Sequence, residues 1–212
     1  MENTDENKEM TAQESLSLIT ETLNNSRKDI TRRSAKHFLL WGVLLTLFSL
    51  LIYLLWKTTD QAAWNCLWFA MPVIGYLIEW LNKRKNEAEN VQNEVSRIVG
   101  GIWGAFGIFA CSVSAFSVLF IQLSPGELSQ QLRVLACTAG LSAELTVLFG
   151  LAECLTGVAL KNWAIKIAGF LTGIVGIIIY YMVGLAEEQM LIFTFAGLVL
   201  IATGLIVKRQ YK

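Results

Sequence analysis

The sequence predicts an all-α, polytopic membrane protein, with six transmembrane helices preceded by a cytoplasmic N-terminal amphipathic helix. Three observations predict it. First, apolar runs fall at about 38–56, 64–81, 99–121, 134–158, 163–183 and 190–207, each close to the ~20 residues that a helix rising ~1.5 Å per residue needs to cross ~30 Å of hydrocarbon. Six crossings put both termini on one side. Second, if that side is cytoplasmic, it holds Lys8, Arg27, Lys28, Arg32, Arg33, Lys36, Lys83, Arg84, Lys85, Arg97, Lys161, Lys166, Lys208, Arg209 and Lys212, fifteen of the 17 basic residues; only Lys57 and Arg133 fall outside. Basic residues in short flanking loops resist translocation, so this partition sets the orientation in a plasma (inner) membrane, and a missed or invented span would scramble it. Third, 54% hydrophobic and 16% charged residues are too apolar a balance for an ordinary soluble domain, in which charge runs near ~25%.

Residues 1–10 read as a disordered acidic tail, carrying Glu2, Asp5, Glu6 and Glu9. No cleavable signal peptide is visible in them, and the first span is the expected insertion signal. Thr11 followed by Glu14 matches a capping box, which opens the amphipathic helix 11–36. Leu16, Ile19, Leu23 and Ile30 lie at a/d-like spacing, with Ser26 breaking the seam. The second half of this helix turns basic: Lys28, Arg32 and Lys36 stack on one face, joined by Arg27 and Arg33. Each such charge near an anionic leaflet contributes on the order of 1 kcal/mol, so the five are expected to hold lipid or a partner. Nucleic acid is not an expected partner, because no aromatic residue interleaves the charges and no groove-reading motif is present.

The spans 37–208 form the transmembrane domain, interrupted on the inner side by the loop 82–97. That loop has no proline or glycine and places Ala88, Val91, Val95 and Ile98 at 3-4-3 spacing, so it is expected to be helical. Its seam and the Leu16/Ile19/Leu23 seam are expected to bury each other, within one chain or between the copies of a homo-oligomer. Pro72 is expected to kink the second span. The third and fifth spans both carry a G-x-x-x-G-x-x-G track, Gly100, Gly104, Gly107 and Gly169, Gly173, Gly176. Such tracks let neighbouring backbones approach, and packing of this kind drives helix association in lipid. With Thr156-Gly157 and Thr203-Gly204 ending the fourth and sixth spans alike, spans three to four and five to six read as duplicated hairpins.

Tryptophans 41, 80 and 163 fall near the inner boundary and 56 and 64 near the outer one, the level that amphipathic rings prefer. Cys66, Cys111, Cys137 and Cys154 form no CxxC pair and have no histidines near them, so apolar packing is expected and no metal site. His37, the only histidine, reads as a boundary residue.

Glu144 stands within two residues of the middle of the fourth span, where an ionised carboxylate costs about 2.5 kcal/mol or more unless it is protonated, paired or wetted. Ser112, Ser114 and Ser117 of the third span are its candidate partners across the helices. Glu153, nine residues on, is half a turn round the helix, so the two carboxylates do not share a face; Lys161 or Arg97 is its expected partner. Glu79 has Lys83 at i+4, the spacing of an ion pair. No catalytic, nucleotide or metal motif occurs, and one histidine cannot supply the usual acid–base constellations. Neither an enzyme nor a cofactor is expected.

The stretch Ser15-Leu16-Ser17-Leu18-Ile19-Thr20-Glu21, the following Asn25-Ser26-Arg27, and Phe38-Leu39-Leu40-Trp41-Gly42 resemble the head of a family of uncharacterised small bacterial inner-membrane proteins. Members are often encoded beside a small winged-helix regulator, so the resemblance, which covers about the first 45 residues, implies a cytosolic regulatory partner and no catalytic residues. The expected function is a membrane-embedded interaction or regulatory protein. The alternative is a small proton- or cation-coupled transporter or channel that uses Glu144 near the midplane.

Overall fold

The computed structural model describes residues 12–85, 94–123, 126–127, 130–131, 140–181 and 187–211. Six α-helices and one 3-10 helix, and no strand, occur among them: α1 Ala12–Thr59, the 3-10 helix Ala62–Phe69, α2 Ala70–Lys85, α3 Glu94–Leu123, α4 Gly140–Ala159, α5 Trp163–Tyr181 and α6 Gln189–Gln210. Four of the helices contain stretches long and apolar enough to cross a membrane, Gln13–Thr59, Glu94–Val113, Ser142–Ala159 and Gln189–Gln210, and Trp163–Ile178 is a shorter apolar helix. The chain is an all-helical membrane protein.

The N-terminal amphipathic helix and the first span are one element. α1 runs unbroken for 48 residues, ~72 Å at ~1.5 Å per residue and more than twice the hydrocarbon thickness. The change in hydropathy near residue 37 ends nothing, because no glycine or proline lies between Ala12 and Trp41 to break the backbone. Thr11 and the first ten residues lie outside the described residues.

Two antiparallel pairs form the packed body. α1 lies on α6 with Gly42 against Gly197 and Ile201, and Gly204 against Ala35 and Leu39. A hydroxyl hydrogen bond between Ser49 and Thr194 (2.8 Å) ties the same pair. α4 lies on α5 with Gly150 against Gly169 and Gly173, and Gly157 against Ile165 and Lys166. A side chain at Gly150 would place its Cβ 2.6 Å from the Gly169 carbonyl oxygen, so only glycine allows this approach. The pairs expected as duplicated hairpins, α3 with α4 and α5 with α6, pack less closely than these two.

The α4–α5 turn explains how the tight pair is closed. Asn162 N–H donates to the Gly157 carbonyl (2.9 Å) and Lys161 N–H to the Val158 carbonyl (3.1 Å), the paired bonds of a Schellman helix end. Lys161 sits at its left-handed position, φ 52°. Asn162 Oδ1 then accepts from Ile165 N–H (3.2 Å), capping the start of α5, and its Nδ2 donates to Gln210 Oε1 (3.0 Å) at the end of α6.

Two apolar clusters mark opposite ends of the bundle. One joins Ala35, Phe38, Val95, Leu160, Ile165, Leu200 and Val207; the other joins Ile52, Trp56 and Met190, with Tyr53, Trp64 and Trp68 against them. α3 is held to α4 by three edge-on rings, Trp103, Phe106 and Phe149, whose centroids lie 5.4 to 5.8 Å apart. Pro72 does not kink a single helix. The expected second span is built of two segments, and Pro72 falls in the first turn of α2 just after the 3-10 helix, where its missing N–H removes no bond that the α-helix needs.

Candidate intramembrane polar site

Glu153 is the buried carboxylate of the molecule among the described residues, and Glu144 is not. Glu144 lies exposed on the outer face of α4 and accepts no hydrogen bond from Ser112; the side chains of Ser114 and Ser117 lie outside the described set. α4 as described begins at Gly140, which places Glu144 in its second turn. Val147, Leu151, Leu155 and Val158 continue the same exposed stripe.

Half a turn away, Glu153 is 0% exposed. It faces α5 between two close backbone approaches of the pair, since Gly150 precedes it by three residues and Gly157 follows by four. Among the described residues its one hydrogen-bond neighbour is Thr172, whose Oγ1 lies 3.3 Å from Glu153 Oε2, and Glu153 Oε1 has no partner there. The expected ion pair with Lys161 or Arg97 does not form. Arg97 instead pairs with Glu94 on its own helix (2.7 Å). Around Glu153 the buried polar side chains are threonines, 146 and 156 on α4 and 172 on α5, each donating to the carbonyl four residues before it.

A second constellation, not foreseen as a unit, joins α2 to α1. Glu79 Oε1 accepts from Trp41 Nε1 (2.8 Å) and meets His37 Nδ1 (2.8 Å). One turn along, the Trp41 ring lies over Gly75 and edge-on to Tyr76, with centroids 5.5 Å apart. Both side chains come from another helix; the side chain of Lys83, the expected partner, lies outside the described set.

The glycine tracks differ. Gly169 and Gly176 meet α4 directly, at Cys154 and Val147, and Gly173 offers its backbone to Gly150, whereas a Cβ at Gly100, Gly104 or Gly107 would meet nothing within 4 Å among the described residues. The seam Leu16/Ile19/Leu23 is exposed rather than covered by Val95. Val95 packs two to three turns further along α1, on the cluster that holds Ala35 and Phe38 with Ile30 beside it; Val91 lies outside the described residues.

Lys28, Arg32, Arg33 and Lys36 are exposed, and Arg27 Nε is buried with no hydrogen-bond partner among the described residues. Arg84 lies 4.0 Å over the Trp80 ring and Lys166 4.7 Å over Trp163, cation–π pairs at one end of the bundle. Cys66 and Cys111 are free and exposed rather than packed inside the chain; Cys137 lies outside the described residues. No family model, no curated protein and no solved structure matches the chain.

Proposed function

We propose that the chain is a six-span protein of the inner (plasma) membrane, with both termini cytoplasmic, acting as a membrane-embedded interaction or regulatory protein. The observation that carries the reading is the length of α1. Full burial on α1 begins at Thr31 and Ser34, with Ser26, Arg27 and Ile30 half-buried just before them, so its first ~14 residues, ~20 Å of helix, extend past the packed body. Leu16, Ile19 and Leu23 form an exposed stripe on that extension, with Leu18 exposed beside it, and an apolar stripe of this kind marks a surface for another element or partner. A cytosolic regulatory protein or a second copy of the chain would fit it. The head-region resemblance favours the former.

The six-span orientation is supported by the two end clusters. The cluster with Ala35, Val95, Leu160, Ile165 and Val207 draws together the middle of α1 at Lys36 and the helix ends that bear Arg97, Lys161, Lys166 and Lys208, while the cluster with Trp56 and Met190 lies beside Lys57. The carrier alternative relied on Glu144, which lies exposed on α4 among the described residues.

A photo-crosslinking residue placed at Ile19 in the full chain, activated in native membranes, tests the reading. Defined protein adducts that disappear when Leu16 and Leu23 are changed to serine are the expected result. Adducts to lipid alone would sink it.

A further inference from the structure

We propose that Glu153 is a proton-binding site, holding its carboxyl in the neutral form and donating through Oε2–H to the hydroxyl of Thr172. Two acceptors compete for one hydrogen. Thr172 Oγ1 lies 3.0 Å from the Ala168 carbonyl oxygen and 3.3 Å from Glu153 Oε2, and its hydroxyl has one hydrogen to give. The Ala168 carbonyl is the nearer acceptor and the ordinary one for a helical threonine. With that bond made, the Glu153–Thr172 contact lacks a hydrogen unless the carboxyl supplies it. A neutral acid completes the chain Glu153 to Thr172 to Ala168. A carboxylate would sit against a lone pair, or take the hydrogen and strip the carbonyl.

The surroundings leave the charged form no other compensation. Glu153 is 0% exposed, its Oε1 has no partner, and no ion pair reaches it among the described residues. The charged and titratable groups of the elements packed on α4 are accounted for. On α3, Arg97 is occupied by Glu94, and Cys111 is exposed. On α5, Lys166 lies over Trp163, and Tyr180 and Tyr181 are at its far end. On α4 itself, Glu144 is on the opposite face and Cys154 is a free thiol. A buried charge with neither a counter-ion nor donors is far more costly than a buried neutral acid.

The place of the site gives its proton a consequence. Glu153 is flanked on its own face by the Gly150–Gly169 and Gly157–Lys166 contacts, which close the α4–α5 pair without room for a hydrating shell. Removing the proton puts a bare charge into that seam, so the pair opens to admit water or a cation. Protonation and closure of the hairpin are therefore one equilibrium.

Infrared spectroscopy of the full chain in lipid nanodiscs tests this. At neutral pH the difference between the native protein and Glu153→Gln should contain the carbonyl stretch of a protonated carboxylic acid; a difference made only of carboxylate bands would overturn the proposal. As pH rises, the native protein should lose several degrees of Tm relative to Glu153→Gln, because the stabilised form is the one that holds the proton. Parallel curves would overturn it. Should Glu153→Gln not fold, Thr172→Val serves: the acid band should persist and move to higher frequency once its acceptor is gone, and return in Thr172→Ser. A band indifferent to both substitutions would overturn the donor assignment.

Discussion

Lys161 holds a left-handed backbone conformation, φ 52°, that costs an L-residue roughly 1 kcal/mol and a glycine almost nothing. It is kept there by the two Schellman bonds and by Asn162, which caps α5 and reaches α6. Lys161→Gly should therefore stabilise the chain by about 1 kcal/mol, read as a raised midpoint of denaturation in mixed micelles. Glycines 150 and 104 make an opposing pair. Gly150→Ala drives a methyl into the Gly169 backbone and should cost about 2 kcal/mol, whereas Gly104→Ala meets open space and should cost nothing measurable in the same assay. At this scale the sequence was half informative about the carboxylates. The nine-residue interval between Glu144 and Glu153 already set them on opposite faces of one helix. Which face is buried depends on where α5 lies, and the deciding signal was the glycines three before and four after Glu153. Those glycines mark the side on which a second backbone arrives.

Among the elements, α2 is the one most dependent on a few side chains, because apart from the 3-10 helix it touches mainly α1. The Glu79 carboxylate, bonded to Trp41 and His37, and the Trp41 ring, over Gly75 and edge-on to Tyr76, make that attachment. Glu79→Ala deletes the shared acceptor and should cost about 2 kcal/mol, the scale of hydrogen bonds to a charged group. Amide exchange should rise along α2 and leave α4 and α5 unchanged. If protection in α2 survives, the rings alone hold it. The i+4 spacing of Glu79 and Lys83 pointed to a local pair, and local spacing carries no information about a donor 38 or 42 residues away. The continuity of α1 runs against the division expected at residue 36. A hydropathy boundary near residue 37 separates environments, and with no glycine or proline before Gly42 the backbone has no reason to stop there.

Over the whole molecule, the antiparallel contacts of α1 with α2, α1 with α6, and α4 with α5 restrict how the chain can thread a bilayer. Glu79 lies at His37, Gly204 at Ala35, and Gly157 at Lys166, so the basic ends of these helices share one level. The Trp56, Trp64 and Met190 end shares the other. The apolar runs and the charge partition were readable without coordinates because bilayer thickness and translocation act on composition alone; the pairing of helices was not, because it turns on which small residues face which neighbour. Reporters active only outside the cytoplasm should be active when fused after Asp60, near Glu127 and after Glu188, and silent near Glu89, after Lys161 and at the C-terminus. The fusion after Asp60 is the most demanding. α1 is long enough to cross with ~40 Å to spare, and its basic turns from Arg27 to Lys36 require that the surplus stay inside. A silent reporter after Asp60 would mean that α1 lies along the membrane instead of crossing it, and both the orientation and the projecting stripe would fall together. Activity after Asp60 with silence after Glu188 would instead remove α5 and α6 as a crossing pair and leave the α1 projection intact.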